Sequence, residues 1–66
     1  MNKTSFEKFF KECLEGTKRF KIFLDTGKVC FLTIKNVILI CRTYVVIEQD
    51  GETIINYKDI RKIEMY

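Results

Sequence analysis

The 66-residue chain contains no histidine and no proline, and only three glycines and three cysteines. Without histidine the commonest acid–base side chain is missing, and with it every Ser–His or Cys–His nucleophile arrangement. Cys13, Cys30 and Cys41 are odd in number and far apart. With no secretory signal ahead of them, they do not read as a disulfide framework. Zinc ligands come in close pairs such as C-x-x-C, so no metal is expected, and nothing calls for another cofactor. The expectation is three buried thiols in a reducing, cytoplasmic setting. Gly16, Gly27 and Gly51 stand apart, each explained by a turn or helix end, so there is no glycine-rich phosphate loop. The longest apolar run, Val37 to Cys41, falls far short of the ~20 residues that span a bilayer. Carboxylates are scattered over turns and a helix surface rather than paired for catalysis. The chain reads as a binding module and not as an enzyme.

What is present begins with size. The length fits one domain, residues 1–66. A chain this short buries only ~60% of its unfolded surface, so its core needs support. With disulfides and metals set aside, association with further copies is the expected support. Net charge is +3, unevenly distributed. Residues 1–16 balance three Lys against three Glu. Residues 17–45 carry Lys18, Arg19, Lys21, Lys28, Lys35 and Arg42 against Asp25 alone, and residues 46–66 carry three basic residues against five acidic ones. A basic band through the middle favours a polyanionic partner, with a solvated lysine face as the plain alternative.

Two periodicities divide the chain. Phe6, Phe9, Phe10, Cys13 and Leu14 recur at helical spacing, which predicts an amphipathic helix over about 5–15. Thr4 with Glu7 has the form of a capping box, and Gly16 suits a left-handed helix end. Beyond Gly16 the pattern alternates. Phe20, Ile22 and Leu24 face one way; Arg19, Lys21, Phe23 and Asp25 face the other. Asp25-Thr26-Gly27 predicts a turn, and Asp50-Gly51 a hairpin. The stretch KVCFLTIKNVILICR is too long for one straight strand and should bend or break near Lys35-Asn36. Strands Tyr44–Glu48, Thr53–Tyr57 and Arg61–Tyr66 complete about five short antiparallel strands. Strands this hydrophobic leave adhesive edges unless the sheet closes or pairs with another subunit. A small closed or ring-forming barrel is therefore expected.

Aromatics beside bases mark the candidate binding residues. Phe23 shares the charged face of its strand with Lys21, a pairing suited to stacking a base while neutralising its phosphate. Tyr44 near Arg42 and Tyr57 beside Lys58 repeat it. The plain alternatives are a ring covered by the helix or a neighbouring subunit, and strand tyrosines with hydroxyls at the rim.

The short helix followed by FKIFLDTG, with YKD after the late hairpin, resembles the Hfq group of Sm-like RNA chaperones. The resemblance implies an Sm-like (SH3-like) five-stranded bent barrel in a hexameric ring that binds A/U-rich single-stranded RNA. It places Tyr44, Tyr57 and Lys58 at a uridine pocket and Phe23 on a purine-stacking face. Asp59 stands where that family has histidine, Thr43 replaces a glutamine, and the segment between Gly27 and Val45 is four residues longer. The stretch YVVIEQDGET is similar to the late hairpin of Rof, an inhibitor of the termination factor Rho. GKV…IKNVILI…YVVIE has the look of a PRC-type barrel. These two likenesses imply a protein-binding regulator with weak RNA affinity.

Overall fold

The computed structural model describes residues 1–16 and 18–66. Its elements run in the order helix α1 (Lys3–Gly16), strands β1 (Phe20–Leu24) and β2 (Val29–Leu32), a 3₁₀ turn (Ile34–Asn36), β3 (Val37–Ile40), β4 (Tyr44–Glu48), β5 (Glu52–Asn56), a second 3₁₀ turn (Tyr57–Asp59) and β6 (Ile60–Met65).

The six strands form two antiparallel three-stranded sheets, β2–β1–β6 and β3–β4–β5. The expected five-stranded Sm-like barrel is not what the chain forms. Neither sheet closes, and among the described residues no strand pairing joins them. Two 3₁₀ turns carry the chain between the sheets. The first cuts the long apolar stretch where bending was expected and carries the chain from one sheet to the other. Asn36 locks it: its Oδ1 accepts from the Thr33 amide (2.8 Å) and hydroxyl (3.1 Å), and its Nδ2 donates to the Glu48 carbonyl (2.8 Å). The second turn returns the chain from β5 to β6. Where the sheets part, Lys28 and Cys30 face Thr53–Asn56 across a cleft of about 170 Å³.

The helix supplies the burial that closure would have supplied. Phe6 and Cys13 are fully buried with Phe20, Ile22, Cys30 and Leu32 of one sheet and Val45, Ile47 and Ile55 of the other. The helix begins two residues earlier than its capping box suggested. Asn2 is the cap: its Oδ1 accepts from the Ser5 amide (2.9 Å), while the Phe6 amide donates to the Asn2 carbonyl (3.0 Å). Thr4 and Glu7 lie inside the helix. Gly16 is the last helical residue, and the left-handed glycines are Gly27 (φ +95°) and Gly51 (φ +107°). Gly27 closes the β1–β2 turn by donating its amide to Leu24 (2.9 Å). Asp50 (φ +56°) and Gly51 both take positive φ in the three-residue loop, Gln49 to Gly51, that joins the paired Glu48 and Glu52 of the β4–β5 hairpin. No described helix is long and apolar enough to cross a membrane.

Candidate nucleic-acid interface

The β2–β1–β6 sheet has one face in the core and one in solvent. Counting outward from the turn that pairs Leu24 with Lys28, Ile22 lies opposite Cys30 and Lys21 opposite Phe31. On the other side of β1, Lys21 lies opposite Glu64 and Phe23 opposite Lys62. The alternation of strand side chains puts Phe20, Ile22, Cys30 and Leu32 inside. It leaves Lys21, Phe23, Phe31, Lys62 and Glu64 on the outer face, with Tyr66 following.

This face interleaves rings with cations. The Phe31 and Tyr66 rings meet edge to face at 6.3 Å, and the Lys21 ammonium lies 5.8 Å from the first and 5.0 Å from the second. Phe23 is attended by the Lys62 ammonium at 4.7 Å and the Arg61 guanidinium at 5.9 Å. These separations fall within cation–π range. Phe31 is 58% exposed and Tyr66 53%, so their rings are open to an incoming flat ligand. Arg19, exposed just before β1, accepts the Tyr66 amide on its carbonyl (2.9 Å), which ties the end of β6 to this face. The one acidic side chain among these residues, Glu64, pairs with Lys62 at 3.0 Å. Both partners are about half exposed, so the pair contributes little to stability.

Two of the six residues singled out from sequence, Phe23 and Lys21, lie on this face. The others do not join them. Tyr44, Arg42 and Lys58 gather at one end of the β3–β4–β5 sheet, where Tyr44 pairs with Asn56 and the Tyr57 amide donates to the Thr43 carbonyl (3.1 Å). A side-chain hydrogen bond with Cys41 holds the Tyr44 phenol above its ordinary 10.0. Tyr57 belongs to the core. It is 2% exposed, its ring lies 5.7 Å from that of Phe6, and its hydroxyl donates to the Cys41 carbonyl at 2.6 Å. A buried ring cannot stack a nucleotide.

The buried phenol gives a stability prediction instead. Burial first, then Cys41 and Glu7, push the Tyr57 phenol above 10.0. The Cys13 thiol is likewise pushed above 9.0, by burial first and then Glu12, with Lys18 opposing. Both shifts favour the protonated form in the folded chain. Their contribution is complete below the ordinary values and declines as pH rises through and beyond them. Stability should therefore hold at neutral pH and fall from about pH 9 upward. Tyr57→Phe should cost about 1–2 kcal/mol at neutral pH, because it leaves the Cys41 carbonyl without its donor. It should also shrink the alkaline decline. Urea unfolding at both pH values checks each effect, and an unaltered alkaline slope would remove Tyr57 from this role.

Phe31, Tyr66, Arg61 and Lys62 were not singled out from sequence. Phe31 was within reach, since the Asp25-Thr26-Gly27 turn fixes the register that sets it against Lys21. The β6 residues were not, because nothing local to them announces that β6 pairs with β1. Among the described residues no group of three or more His, Cys, Asp or Glu side chains is placed to hold a metal ion. The chain matches no protein-family model, no curated protein and no solved structure.

Proposed function

We propose that this chain is a binding module for single-stranded RNA, favouring A/U-rich strands, and that the outer face of β2–β1–β6 is its stacking platform. The observation that carries the reading is the interleaving of Phe23, Phe31 and Tyr66 with Lys21, Arg61 and Lys62 on one open sheet face. Each ring offers a surface to a base, and each cation reaches phosphate from a flexible stem. Because the ammonium groups rest over the rings rather than in strong ion pairs, a base can displace them toward the backbone it brings. A duplex hides its base faces, so an unpaired strand is the ligand that this surface suits. A/U-rich strands form the weakest internal structure and expose their bases at the lowest cost. The resemblance of FKIFLDTG to the Hfq group points to the same ligand class through Phe23.

Anisotropy titrations with labelled oligo-U and oligo-A across a salt series test the reading. Affinity should fall with salt, with a logarithmic slope of about −0.7 for each phosphate neutralised on a single strand. Lys21→Gln should flatten that slope by roughly one phosphate's share, ~0.7. A duplex of the same composition should bind more weakly. Failure of every single strand to bind would end the proposal and leave a protein-binding regulator as the better reading.

A further inference from the structure

The second sheet also leaves a face open, and its chemistry differs. In β3–β4–β5, Leu39 lies opposite Val46, and Val46 opposite Ile54. The three side chains make an aliphatic stripe across all three strands on the face turned away from the core. Leu39 is 56% exposed and Ile54 62%, and Ile38 at the bulge in β3 adds another exposed aliphatic. A sheet with its inner face already buried gains nothing from a second apolar face unless something covers it.

The charges around the stripe indicate what covers it. At one end Glu48 and Glu52 stand directly opposite each other, with Asp50 at the hairpin tip between them. Like charges in direct cross-strand register are unfavourable. Arg42 and Lys58 occupy the segments at the opposite end, which the Tyr57–Thr43 hydrogen bond holds together. Among the described residues the one ion pair is Lys62–Glu64, so none of these five charges is paired within the chain. The sheet is therefore acidic at its hairpin end and apolar across the middle, while Arg42 and Lys58, with Asp59 beside them, give the other end a net positive charge. Such a pattern is complementary to itself when two copies meet with their strands reversed.

We propose that this face is the interface between two copies of the chain, stacked sheet to sheet about a two-fold axis running along the Leu39–Val46–Ile54 stripe. That axis sets aliphatic against aliphatic and brings the Glu48–Glu52 end over the Arg42–Lys58 end of the second copy. The alternative two-fold axis, parallel to the strands, would set the glutamates against each other and the bases against each other. The Phe23–Phe31–Tyr66 face lies on the other sheet and stays uncovered. The interface does not rest on the RNA reading, and its test uses no RNA.

Light scattering and sedimentation equilibrium over a concentration series should give twice the 7.9 kDa chain mass. Ile54→Lys, at an exposed position, should return the mass to that of one chain with the circular dichroism spectrum unchanged. Glu52→Lys should weaken the dimer at least tenfold, and adding Lys58→Glu to it should restore most of the loss, because the swapped charges again meet across the interface. A single-chain mass at every concentration would overturn the proposal. So would a mass of six or seven chains, which belongs to a ring, or a dimer indifferent to Ile54→Lys and to the charge swap.

Discussion

Phe6→Ala is expected to remove about half of the protein's folding stability. The ring is completely buried, lies 5.7 Å from Tyr57 and joins the helix to the core of both sheets. Deleting a buried phenylalanine costs about 3–5 kcal/mol, through lost transfer energy and the cavity left behind. At 0.05–0.15 kcal/mol per residue, a chain of this length has only roughly 3–10 kcal/mol in total. The lower part of that range does not survive the change. Because the sheets are open, the helix is the element that seals the core, so its detachment exposes the inner faces of both. Phe10→Ala, at a partly buried position on the same helix, should be milder. Urea unfolding followed by circular dichroism reads both. Equal, small losses for the two variants would show that the helix is an accessory and not a seal.

The second large effect concerns binding. Phe23→Thr combined with Phe31→Thr should reduce affinity for a short U-rich strand roughly 30-fold or more, because each stacked base contributes about 1–3 kcal/mol. Threonine keeps the strand propensity, so the fold should persist. Tyr44→Ala and Lys58→Ala, on the other sheet, should leave affinity for the same short strand nearly unchanged. The reverse outcome, with Tyr44 and Lys58 essential and the phenylalanines silent, would move the site to the far end of the β3–β4–β5 sheet.

Local patterns carried the elements. The stripe from Phe6 to Leu14 identified the helix, and the alternation from Arg19 to Asp25 identified β1 and placed Phe23 and Lys21 on its outer face. The Asp25-Thr26-Gly27 and Asp50-Gly51 turns form where their residue types require. Architecture was less legible. Apolar strands suggested closure because open edges are adhesive, but the alternation cannot show that two 3₁₀ turns divert the chain between separate sheets. Nor can it show how much of the core Phe6 and Cys13 fill. Tyr57 illustrates the limit most clearly. Beside Lys58 it has the composition of a binding pair, yet its position after β5 turns the ring inward beneath Phe6, and only tertiary packing decides that. Phe31 shows the converse: a residue that reads as core within KVCFLTIK is turned outward once the hairpin register is counted.

The most direct test of the account is a titration of the isotope-labelled protein with a short U-rich oligonucleotide, followed residue by residue by NMR. The largest shifts are expected at Lys21, Phe23, Phe31, Lys62 and Tyr66 on the outer face of β2–β1–β6, with Leu39, Val46 and Ile54 unmoved. Shifts confined to Tyr44, Arg42 and Lys58, or none at saturating oligonucleotide, would contradict it.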